Sequence, residues 1–368
     1  MENVSQQILQ EVLEAFDFGG HIVRAEPFGC GHINDTFRVY TSADRSYILQ
    51  RMSAAAFKRP DQLMQNIIGV TEFLRKKAVQ AGGDPDRESL TVLRPKNGRN
   101  YYTDSQGGAW RVTLYIAGSC CYQTADTPEL FEASAKAFGR FQRMLCDYPA
   151  DTLFETIPHF HDTEDRLDKL KAAIAAAPSE LAGECRAEID FALAREADCS
   201  VACRALREGV LPLRVTHNDT KLNNVLLDSE TGQGLCVIDL DTTMPGLSIH
   251  DFGDSIRFGA NHCAEDEQDL GKVNFDIELY EAYTRGFLEG AAGCLSQAEL
   301  EYLPWGARLM TLECGIRFLT DYLQGNTYFR IHYPRQNLDR RRTQFKLVQD
   351  MEEQFAQMRH IVFKYAGL

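Results

Sequence analysis

The spacing of apolar residues predicts that the first part of the chain is mostly β. The segment "IVRAEPFGCGHINDTFRVYT" predicts two strands joined by a glycine-containing turn, and "SYILQRM", "LTVLRP" and "AWRVTLYI" predict further short strands. Between them, residues 61–80 place Leu63, Ile67, Val70 and Leu74 at helical spacing. We therefore expect a small antiparallel sheet with one main helix packed against it.

The pattern becomes mainly helical after "AGS" at 117–119. Residues 129–146 and most of 162–207 have helical periodicity, as does the C-terminal part of the chain. The segments "VLLD" and "LCVIDL" interrupt it and predict a small hairpin. The expected fold class is α+β and bilobal, with a ligand cleft between the lobes. The predicted division is an N-lobe at 1–111, a crossing segment at 112–118 and a C-lobe at 119–368.

Composition limits the partners that the protein is expected to bind. Its 368 residues carry a formal net charge of −14, which disfavours binding to nucleic-acid phosphates or anionic lipid. The densest basic run, 340–342, is more typical of a solvated helix face. No apolar run approaches the roughly 18 to 20 residues of a membrane span, and the N-terminus lacks the pattern of a signal peptide. The 11 cysteines form no CxxC pair, so reduced thiols and a cytoplasmic location are expected.

The segment "THNDTKLNNVLLDSETGQGLCVIDLDTTMPG" at 216–246 contains the residue types that phosphoryl transfer from ATP requires. That reaction needs a carboxylate beside the attacking hydroxyl and hard oxygen ligands for Mg²⁺. Asp219 and Asn224 have the Asp-x-x-x-x-Asn spacing of a kinase catalytic loop, with His217 two residues before Asp219. Lys221 falls where a cation can approach the transferring phosphate. The whole ordered set supports this interpretation, since loop Asp and Asn residues usually serve turns.

A second Mg²⁺ ligand is expected on the hairpin strand that follows. Asp239 ends an apolar strand, where a carboxylate is costly unless a cation or a hydrogen-bond donor meets it. Asp241 would point to the same side if the strand continued, and is a candidate auxiliary group. The literal "DFG" at 251–253 lies too far beyond Asp219 to be the metal-binding tripeptide of protein kinases. We predict that Asp251 braces the catalytic loop and caps a helix, and that His217 is also structural.

Several stretches between residues 29 and 329 carry a family resemblance. They are "GCGHIN" (29–34), "YILQRM" (47–52), "THNDTKLNNVLLD" (216–228), "VIDLDTTMPG" (237–246), "HDFGDSIRF" (250–258) and "RFLTDYLQGNTYF" (317–329). With them the chain resembles the aminoglycoside phosphotransferase/choline kinase superfamily, which has a bilobal protein-kinase-like fold, and within it the anomeric N-acetylhexosamine 1-kinases. The resemblance implies ATP- and Mg²⁺-dependent phosphorylation of the anomeric hydroxyl of GlcNAc or GalNAc. It does not choose between the two sugars.

The resemblance also assigns roles to individual residues. Asp219 matches the catalytic base, which also contacts the sugar, and Asn224 and Asp239 match the Mg²⁺ ligands. The residues that match sugar- or phosphate-contacting positions are His32, Asn34, Arg317 and Tyr328.

The expected nucleotide contacts are less sharply defined. Gly29 and Gly31 would permit close backbone approach to phosphate, although "GCGHIN" departs from G-x-G-x-x-G. Where protein kinases carry a phosphate-binding lysine, "YILQRM" offers Gln50 by register and Arg51 by charge. Strand alternation puts Gln50 and Arg51 on opposite faces, so only one can reach the nucleotide, and the sequence leaves both open.

Three weaker signals remain. Tyr115 and Ile116 lie at the expected crossing between lobes, where backbone groups would meet adenine. Glu72 is a candidate helix partner for the phosphate-binding cation. His159 and His161 in "PHFHD" could suit a metal, but no third ligand is near and a structural role is favoured.

The same residues allow two alternative functions. Another kinase of the same superfamily would act on an amino alcohol or an aminoglycoside, and it would need an acidic pocket for its cationic substrate. A catalytically silent nucleotide-binding regulatory protein is the alternative of a different class. The presence together of Asp219, Asn224 and Asp239 argues against silence.

Overall fold

The computed structural model describes residues 4–29, 34–125 and 127–368, which form two lobes. The strands are β1 (Ile22–Pro27), β2 (Asp35–Thr41), β3 (Ser46–Met52), β4 (Val92–Leu93), β5 (Tyr102–Thr103), β6 (Ala109–Leu114), β7 (Ser119–Cys120), β8 (Arg214–Thr216), β9 (Val225–Asp228), β10 (Gly234–Val237) and β11 (Met244–Gly246). The helices are α1 (Gln6–Glu14), α2 (Pro60–Gln80), α3 (Pro85–Glu88), α4 (Pro128–Met144), α5 (Thr163–Ala176), α6 (Ser179–Glu184), α7 (Arg186–Leu193), α8 (Glu196–Cys199), α9 (Val201–Arg207), α10 (Ser248–Gly259), α11 (Ile277–Ala291), α12 (Gln297–Leu323), α13 (Gln336–Glu353) and α14 (Phe355–Ala366).

The N-lobe is built around one antiparallel sheet, as the strand pattern predicts. Its strands lie in the order β1-β2-β3-β6-β4, and β5 pairs with β6. Helix α1 covers one face, because Ile8 and Val12 are buried in a cluster with Leu49 and Trp110 of the sheet. The apolar side chains of one sheet face are thus used by α1, and the opposite face is left for the cleft.

Helix α2 connects that opposite face to the C-lobe. Met52 of β3 and Leu63 and Met64 of α2 belong to the same hydrophobic cluster as Phe131 of α4 and Phe252 of α10. The predicted helix at 61–80 is therefore confirmed, and its buried face packs against both lobes. Because the core is continuous, the two lobes hold a defined spacing on this side.

Glycines allow the C-lobe helices to approach each other closely. A Cβ atom on Gly139 of α4 would lie 2.1 Å from the carbonyl oxygen of Phe287 in α11. A Cβ atom on Gly253 of α10 would lie 2.2 Å from the carbonyl oxygen of Gly306 in α12. Both positions therefore require glycine, since any side chain would separate the helix pair.

Two small antiparallel units lie in the C-lobe next to the cleft. One has the order β10-β9-β7, and the other pairs β8 with β11. The predicted hairpin is confirmed, but its second strand ends at Val237 instead of continuing to residue 240. Strand β6 runs to Leu114, so the predicted crossing segment begins inside a strand. The division at residues 111 and 118 stays a prediction.

The α+β, two-lobed arrangement expected from the pattern is confirmed. Within the described ranges, none of the helices is both long enough and apolar enough to cross a membrane.

Candidate active site

The paired strands β8 and β11 hold two loops side by side. Residues 217–224, here the catalytic loop, follow β8, and residues 238–243, here the metal loop, precede β11. The Thr216 hydroxyl of β8 donates to the Met244 carbonyl oxygen of β11 at 3.1 Å. The hydrogen bonds of this strand pair therefore bring residues separated by more than twenty positions to the same floor of the cleft.

Asp219 lies in the catalytic loop with two polar neighbours. Its Oδ1 atom is 2.7 Å from the Lys221 ammonium, and its Oδ2 atom accepts a hydrogen bond from Asn224 Nδ2 at 3.2 Å. Burial opposes the charge of Lys221, but the Asp219 and Asp254 carboxylates outweigh it and raise the pKa of Lys221. The lysine therefore stays protonated beside a carboxylate that can accept a proton.

The backbone around Asp219 is held on both sides. Asn218 adopts a left-handed conformation with φ of 63°, which non-glycine residues rarely adopt. Its N–H donates to Asp251 Oδ1 at 2.8 Å, and the His217 N–H donates to Asp251 Oδ2 at 2.9 Å. Asp251 is buried and also accepts from Gln142 Nε2. These contacts fix the peptide planes that set the direction of the Asp219 side chain.

The structure corrects one detail of the Asp251 prediction. The N-terminal cap of α10 is Leu247, and Asp251 is the fourth residue of the helix. Its carboxylate is therefore not an N-cap, and it meets the amides of the catalytic loop instead. In the literal "DFG", Phe252 is fully buried in the core and Gly253 lies at the crossing of α10 with α12. All three residues of the tripeptide thus make contacts inside the C-lobe.

His217 joins the two loops. Its Nδ1 atom accepts from the Asp219 N–H at 3.3 Å, so the proton of the neutral ring is on Nε2. Nε2 lies 2.8 Å from the Ile238 carbonyl oxygen, to which it donates. The ring therefore ties the backbone of Asp219 to the residue that precedes Asp239.

Asp239 faces the cleft in a strained backbone conformation. Its φ is 59°, in the left-handed region, and no described residue donates a hydrogen bond to its carboxylate. Its side chain is open to solvent, yet nearby protein atoms partly desolvate it. This desolvation, together with repulsion from Asp241 and Asp219, raises the pKa of Asp239 to about 6. Arg111 offsets only part of this effect, so the carboxylate is poorly compensated by the described residues.

The donor set of the two loops fits a hard divalent cation. Asn224 donates its amide N–H to Asp219, which leaves its amide oxygen available as a ligand. That oxygen and the Asp239 carboxylate are the ligand types that Mg²⁺ prefers. A bound cation would also offset the repulsion of Asp239 by Asp241 and Asp219.

Asp241 does not lie beside Asp239 as a strand would place it. The metal loop turns after Asp239, and Asp241 forms an ion pair with Arg111 of β6. Both side chains are buried. Asp241 Oδ2 also accepts from Asn34 Nδ2 at 2.7 Å, and Asn34 Oδ1 accepts from the Ser53 N–H at 3.0 Å. Asn34 is thus engaged in a contact between lobes.

The register of the sheet separates Gln50 from Arg51. Gln50 pairs with Arg111, whose Nε donates to Gln50 Oε1 at 2.9 Å, so Gln50 faces the metal loop. Arg51 pairs with Trp110, whose ring is buried in the core under α1. Arg51 therefore lies on the face away from the metal loop, which contradicts its expected approach to the nucleotide from this strand.

The remaining predicted nucleotide contacts have mixed outcomes. Gly29 has a φ of 82° and open space beside it, whereas Gly31 and His32 lie outside the described residues. The Tyr115 N–H donates to the Ser46 carbonyl oxygen at 2.9 Å, so that amide is used by the sheet and does not meet adenine. The Ile116 carbonyl oxygen accepts from the Ser119 hydroxyl at 2.7 Å.

Glu72 is not in the cleft. It pairs with Arg94 at 3.2 Å, and both side chains are largely exposed. It is therefore not the helix partner of a phosphate-binding cation.

Arginine and aromatic side chains form a second cluster, here the arginine–aromatic wall. Its members are Phe160, Arg166, Arg317, Tyr328 and Phe329. The Arg317 guanidinium lies 5.6 Å from the ring centroid of Phe160, 5.8 Å from that of Tyr328 and 5.5 Å from that of Phe329. Burial and the nearby charge of Arg317 lower the pKa of Arg166. The wall thus carries two neighbouring positive charges.

The loop that carries Tyr328 and Phe329 is held by one buried carboxylate. Asp321 accepts from the N–H groups of Thr327, Tyr328 and Phe329, at 2.8, 2.7 and 3.0 Å, and from Asn337 Nδ2 at 2.8 Å. The carboxylate is therefore fully engaged in the loop and is not offered to the cleft.

His161 connects this wall to the catalytic loop. Its Nδ1 is 3.0 Å from Glu313 Oε1, and its Nε2 is 3.0 Å from the Asn218 carbonyl oxygen. Both neighbours are acceptors, so the geometry suits the doubly protonated ring. Burial alone would lower the pKa of His161, but Glu313 outweighs it and raises that pKa. Glu313 lies one helical turn before Arg317 on α12.

The sequence pattern does not predict that Arg111 and Arg166 lie at the site, or that His161 pairs with Glu313. A signal existed for Arg111, because an arginine inside the apolar strand "AWRVTLYI" must find a carboxylate when it is buried. No comparable signal marked the others, since Glu313 and His161 are 152 residues apart.

A β-rich lobe above a helical lobe, with a carboxylate, an amide and a second carboxylate on two adjoining loops between them, defines a phosphotransferase with a protein-kinase-like fold. The family comparison agrees. Residues 24–294 match the model of the phosphotransferase enzyme family, APH, and the chain belongs to that family.

Solved structures with the same fold cover almost the whole chain. An aminoglycoside phosphotransferase from Alicyclobacillus acidocaldarius superposes with a TM-score of 0.61 at 14% identity, covering 96% of each chain. A spectinomycin phosphotransferase in complex with ADP and spectinomycin gives 0.56 at 13% identity, covering 100% of each chain. A choline kinase from Cryptosporidium parvum gives 0.55 at 13% identity, covering 99% of this chain and 94% of that one. The predicted bilobal protein-kinase-like fold is confirmed.

Proposed function

We propose that this phosphotransferase uses ATP and Mg²⁺ to phosphorylate the anomeric hydroxyl of an N-acetylhexosamine, GlcNAc or GalNAc, giving the sugar 1-phosphate. The observation that carries the proposal is the arrangement of Asp219 with Lys221 at 2.7 Å and Asn224 at 3.2 Å on one loop. The arrangement supports roles for these three residues as base, cation and metal ligand at one point in the cleft.

Asp219 acts as the base in this proposal. Its carboxylate orients the anomeric hydroxyl and accepts its proton, which is easier to remove than that of an ordinary alcohol. Lys221 neutralises part of the charge on the phosphoryl group in transfer. Most of the rate enhancement then comes from positioning and charge stabilisation, because phosphoryl transfer needs little covalent help from the protein.

Asn224 and Asp239 would hold Mg²⁺. The ion supplies charge neutralisation to the triphosphate. The strained backbone of Asp239 and the repulsion of its carboxylate by Asp241 and Asp219 support this assignment.

The arginine–aromatic wall favours a neutral acceptor over a cationic one. Arg166 and Arg317 repel an ammonium group, while the nearby carboxylates are already used. Glu313 pairs with His161, and Asp321 binds the loop amides. Arginine N–H donors beside aromatic rings suit hydroxyl and acetamido oxygens of a sugar. In the proposal, Arg317 and Tyr328 line the acceptor pocket. Their environment disfavours a cationic amino alcohol or aminoglycoside as the acceptor.

A substrate panel tests the proposal directly. The protein is incubated with Mg-ATP and, separately, GlcNAc, GalNAc, choline, ethanolamine or kanamycin. ADP release is measured, and ³¹P NMR locates the new phosphate. We expect a sugar 1-phosphate with at least one hexosamine and no product with the three amines.

Two results would overturn the proposal in different ways. Turnover of an amine but no hexosamine would reassign the substrate within the family. Calorimetric binding of Mg-ATP without transfer to any acceptor would favour a silent nucleotide-binding protein.

A further inference from the structure

The strand position that carries a phosphate-binding lysine in protein kinases holds Gln50 in this chain, which is uncharged. The sheet register places Arg111 directly opposite Gln50 on the neighbouring strand β6. Residues paired across antiparallel strands point to the same face. Arg111 therefore lies on the cleft side of the sheet, next to Gln50. Arg51, the nearest cation in sequence, faces the core under α1 instead.

The contacts of Arg111 direct it at the metal loop. Its Nε donates to Gln50 Oε1 at 2.9 Å, and its Nη1 pairs with Asp241. Asp241 follows Asp239 by two residues. Gln50 in turn donates through Nε2 to the Thr36 hydroxyl at 3.1 Å, which orients the amide. Among the described residues, Nη2 of Arg111 has no hydrogen-bond partner.

The charge balance at this point also favours a phosphate ligand. Arg111 is buried with the carboxylates of Asp241 and Asp239 near it. A guanidinium has five N–H donors in a planar fork, which suits oxygen atoms of phosphate as well as carboxylate. A buried ion pair is seldom a net source of stability compared with apolar packing, so a role in binding is a reason to retain it.

We propose that Arg111 replaces the strand lysine and contacts the α- and β-phosphates of the nucleotide, with Gln50 and Asp241 holding its guanidinium in place. This inference rests on the proposed function only in that the protein binds a nucleotide. It assigns the phosphate-binding cation to a different strand from the one that protein kinases use.

Calorimetry measures the dissociation constants of ADP and adenosine in the presence of EDTA. Without divalent metal there is no turnover, so the measurement tests nucleotide binding alone. For Arg111→Met we expect the dissociation constant for ADP to rise about 10-fold or more, because a charge-assisted contact is lost. Adenosine has no phosphate, so its affinity should change less than about twofold. Arg51→Met, on the opposite face of the same strand pair, should leave both ligands bound as in the parent.

Two further variants separate binding from folding. Arg111→Met alone leaves the buried Asp241 carboxylate without its ion-pair partner, which could destabilise the fold. The double variant Arg111→Met/Asp241→Asn removes both charges and avoids this problem. It should fold, with thermal unfolding near that of the parent, and still lose ADP affinity. Asp241→Asn alone keeps Arg111 but weakens its support, and it should lower ADP affinity less than Arg111→Met does.

Three outcomes would overturn the inference. They are a loss of ADP affinity in Arg51→Met, an equal loss for adenosine and ADP in Arg111→Met, and unchanged ADP binding in the double variant. If the parent itself binds neither ADP nor Mg-ATP, the proposed function fails as well. If the parent binds ADP and the double variant binds it equally, only the role of Arg111 fails.

Discussion

The catalytic loop and the arginine–aromatic wall, which we propose to line the acceptor site together, are held in different ways. In the catalytic loop, the backbone groups of residues 217–220 are fixed by buried side chains. Asp251 binds two amides, Asp254 binds the Thr220 N–H at 3.0 Å, and His161 binds the Asn218 carbonyl oxygen. In the wall, Arg317 contacts three aromatic rings at 5.5 to 5.8 Å and donates no side-chain hydrogen bond to a described residue.

This difference separates two physical tasks. A base must be held within a fraction of an ångström, and buried hydrogen bonds supply that precision. A recognition surface can use arginine stacked on aromatic rings, which offers free N–H donors to a ligand and tolerates small shifts. We therefore expect changes in the catalytic loop to affect turnover and folding, and changes in the wall to affect substrate affinity.

The largest effect is expected at Asp219. Asp219→Asn keeps the shape of the side chain but removes the base, and turnover should fall about 1,000-fold, within the usual range for a general base. Thermal unfolding should change little, because Asp219 is partly exposed and its carboxylate pairs with Lys221 and Asn224 among the described residues. Initial rates and a melting curve measure both. Undiminished turnover would remove Asp219 from the mechanism.

Asp251→Ala should affect folding more than Asp219→Asn does. It leaves the buried amides of His217 and Asn218 without an acceptor and removes one of the two acceptors of Gln142 Nε2. The free energy of unfolding should fall by about 2–3 kcal/mol. Urea unfolding measures this change. Asp168→Ala is the control, since that side chain is 77% exposed, and it should shift stability by less than about 0.5 kcal/mol. Equal effects of the two variants would contradict a bracing role for Asp251.

Arg317→Gln should change substrate affinity and leave turnover largely intact. Loss of the cation from three rings and of its N–H donors should raise KM for the acceptor about 10-fold, while kcat stays within about threefold. Arg330→Gln, on the same loop as Tyr328 but exposed, is the matched control. A fall in kcat without a change in KM would show that the wall takes part in the chemical step and would break the contrast between the two regions.

The smallest effect is expected for His161, which lies between the two regions, and it depends on pH. Glu313 raises the pKa of His161 in the folded protein, so the ion pair stabilises the fold fully below about pH 6.5, the ordinary histidine value. That contribution is lost as pH rises through the raised pKa. His161→Gln should therefore lose about 1 kcal/mol relative to the parent at pH 6 and less at pH 9, as measured by urea unfolding. A stability difference that grows with pH would contradict the charged form.

Much of the catalytic chemistry could be proposed from the order of residues alone. The ordered set of Asp219, Asn224 and Asp239 indicates a base and hard metal ligands, and Lys221 adds a cation beside them. The sheet, the helix at 61–80 and the hairpin followed from apolar periodicity. Periodicity does not predict that the hairpin strand ends at Val237. The left-handed turn at Asp239 depends on contacts such as that of His217 with Ile238, which are 21 residues apart.

Strand alternation sets which residues share a face of the sheet, but the packing of helices on that sheet selects the face that meets the cleft. Alternation separates Gln50 from Arg51, yet the choice between them depends on where α1 packs and on the pairing of β3 with β6. The same holds for the literal "DFG", whose glycine is required by a helix crossing with Gly306, 53 positions away. Side-chain periodicity is a local property of the backbone, whereas the partner of each face is set by long-range packing that no local spacing encodes.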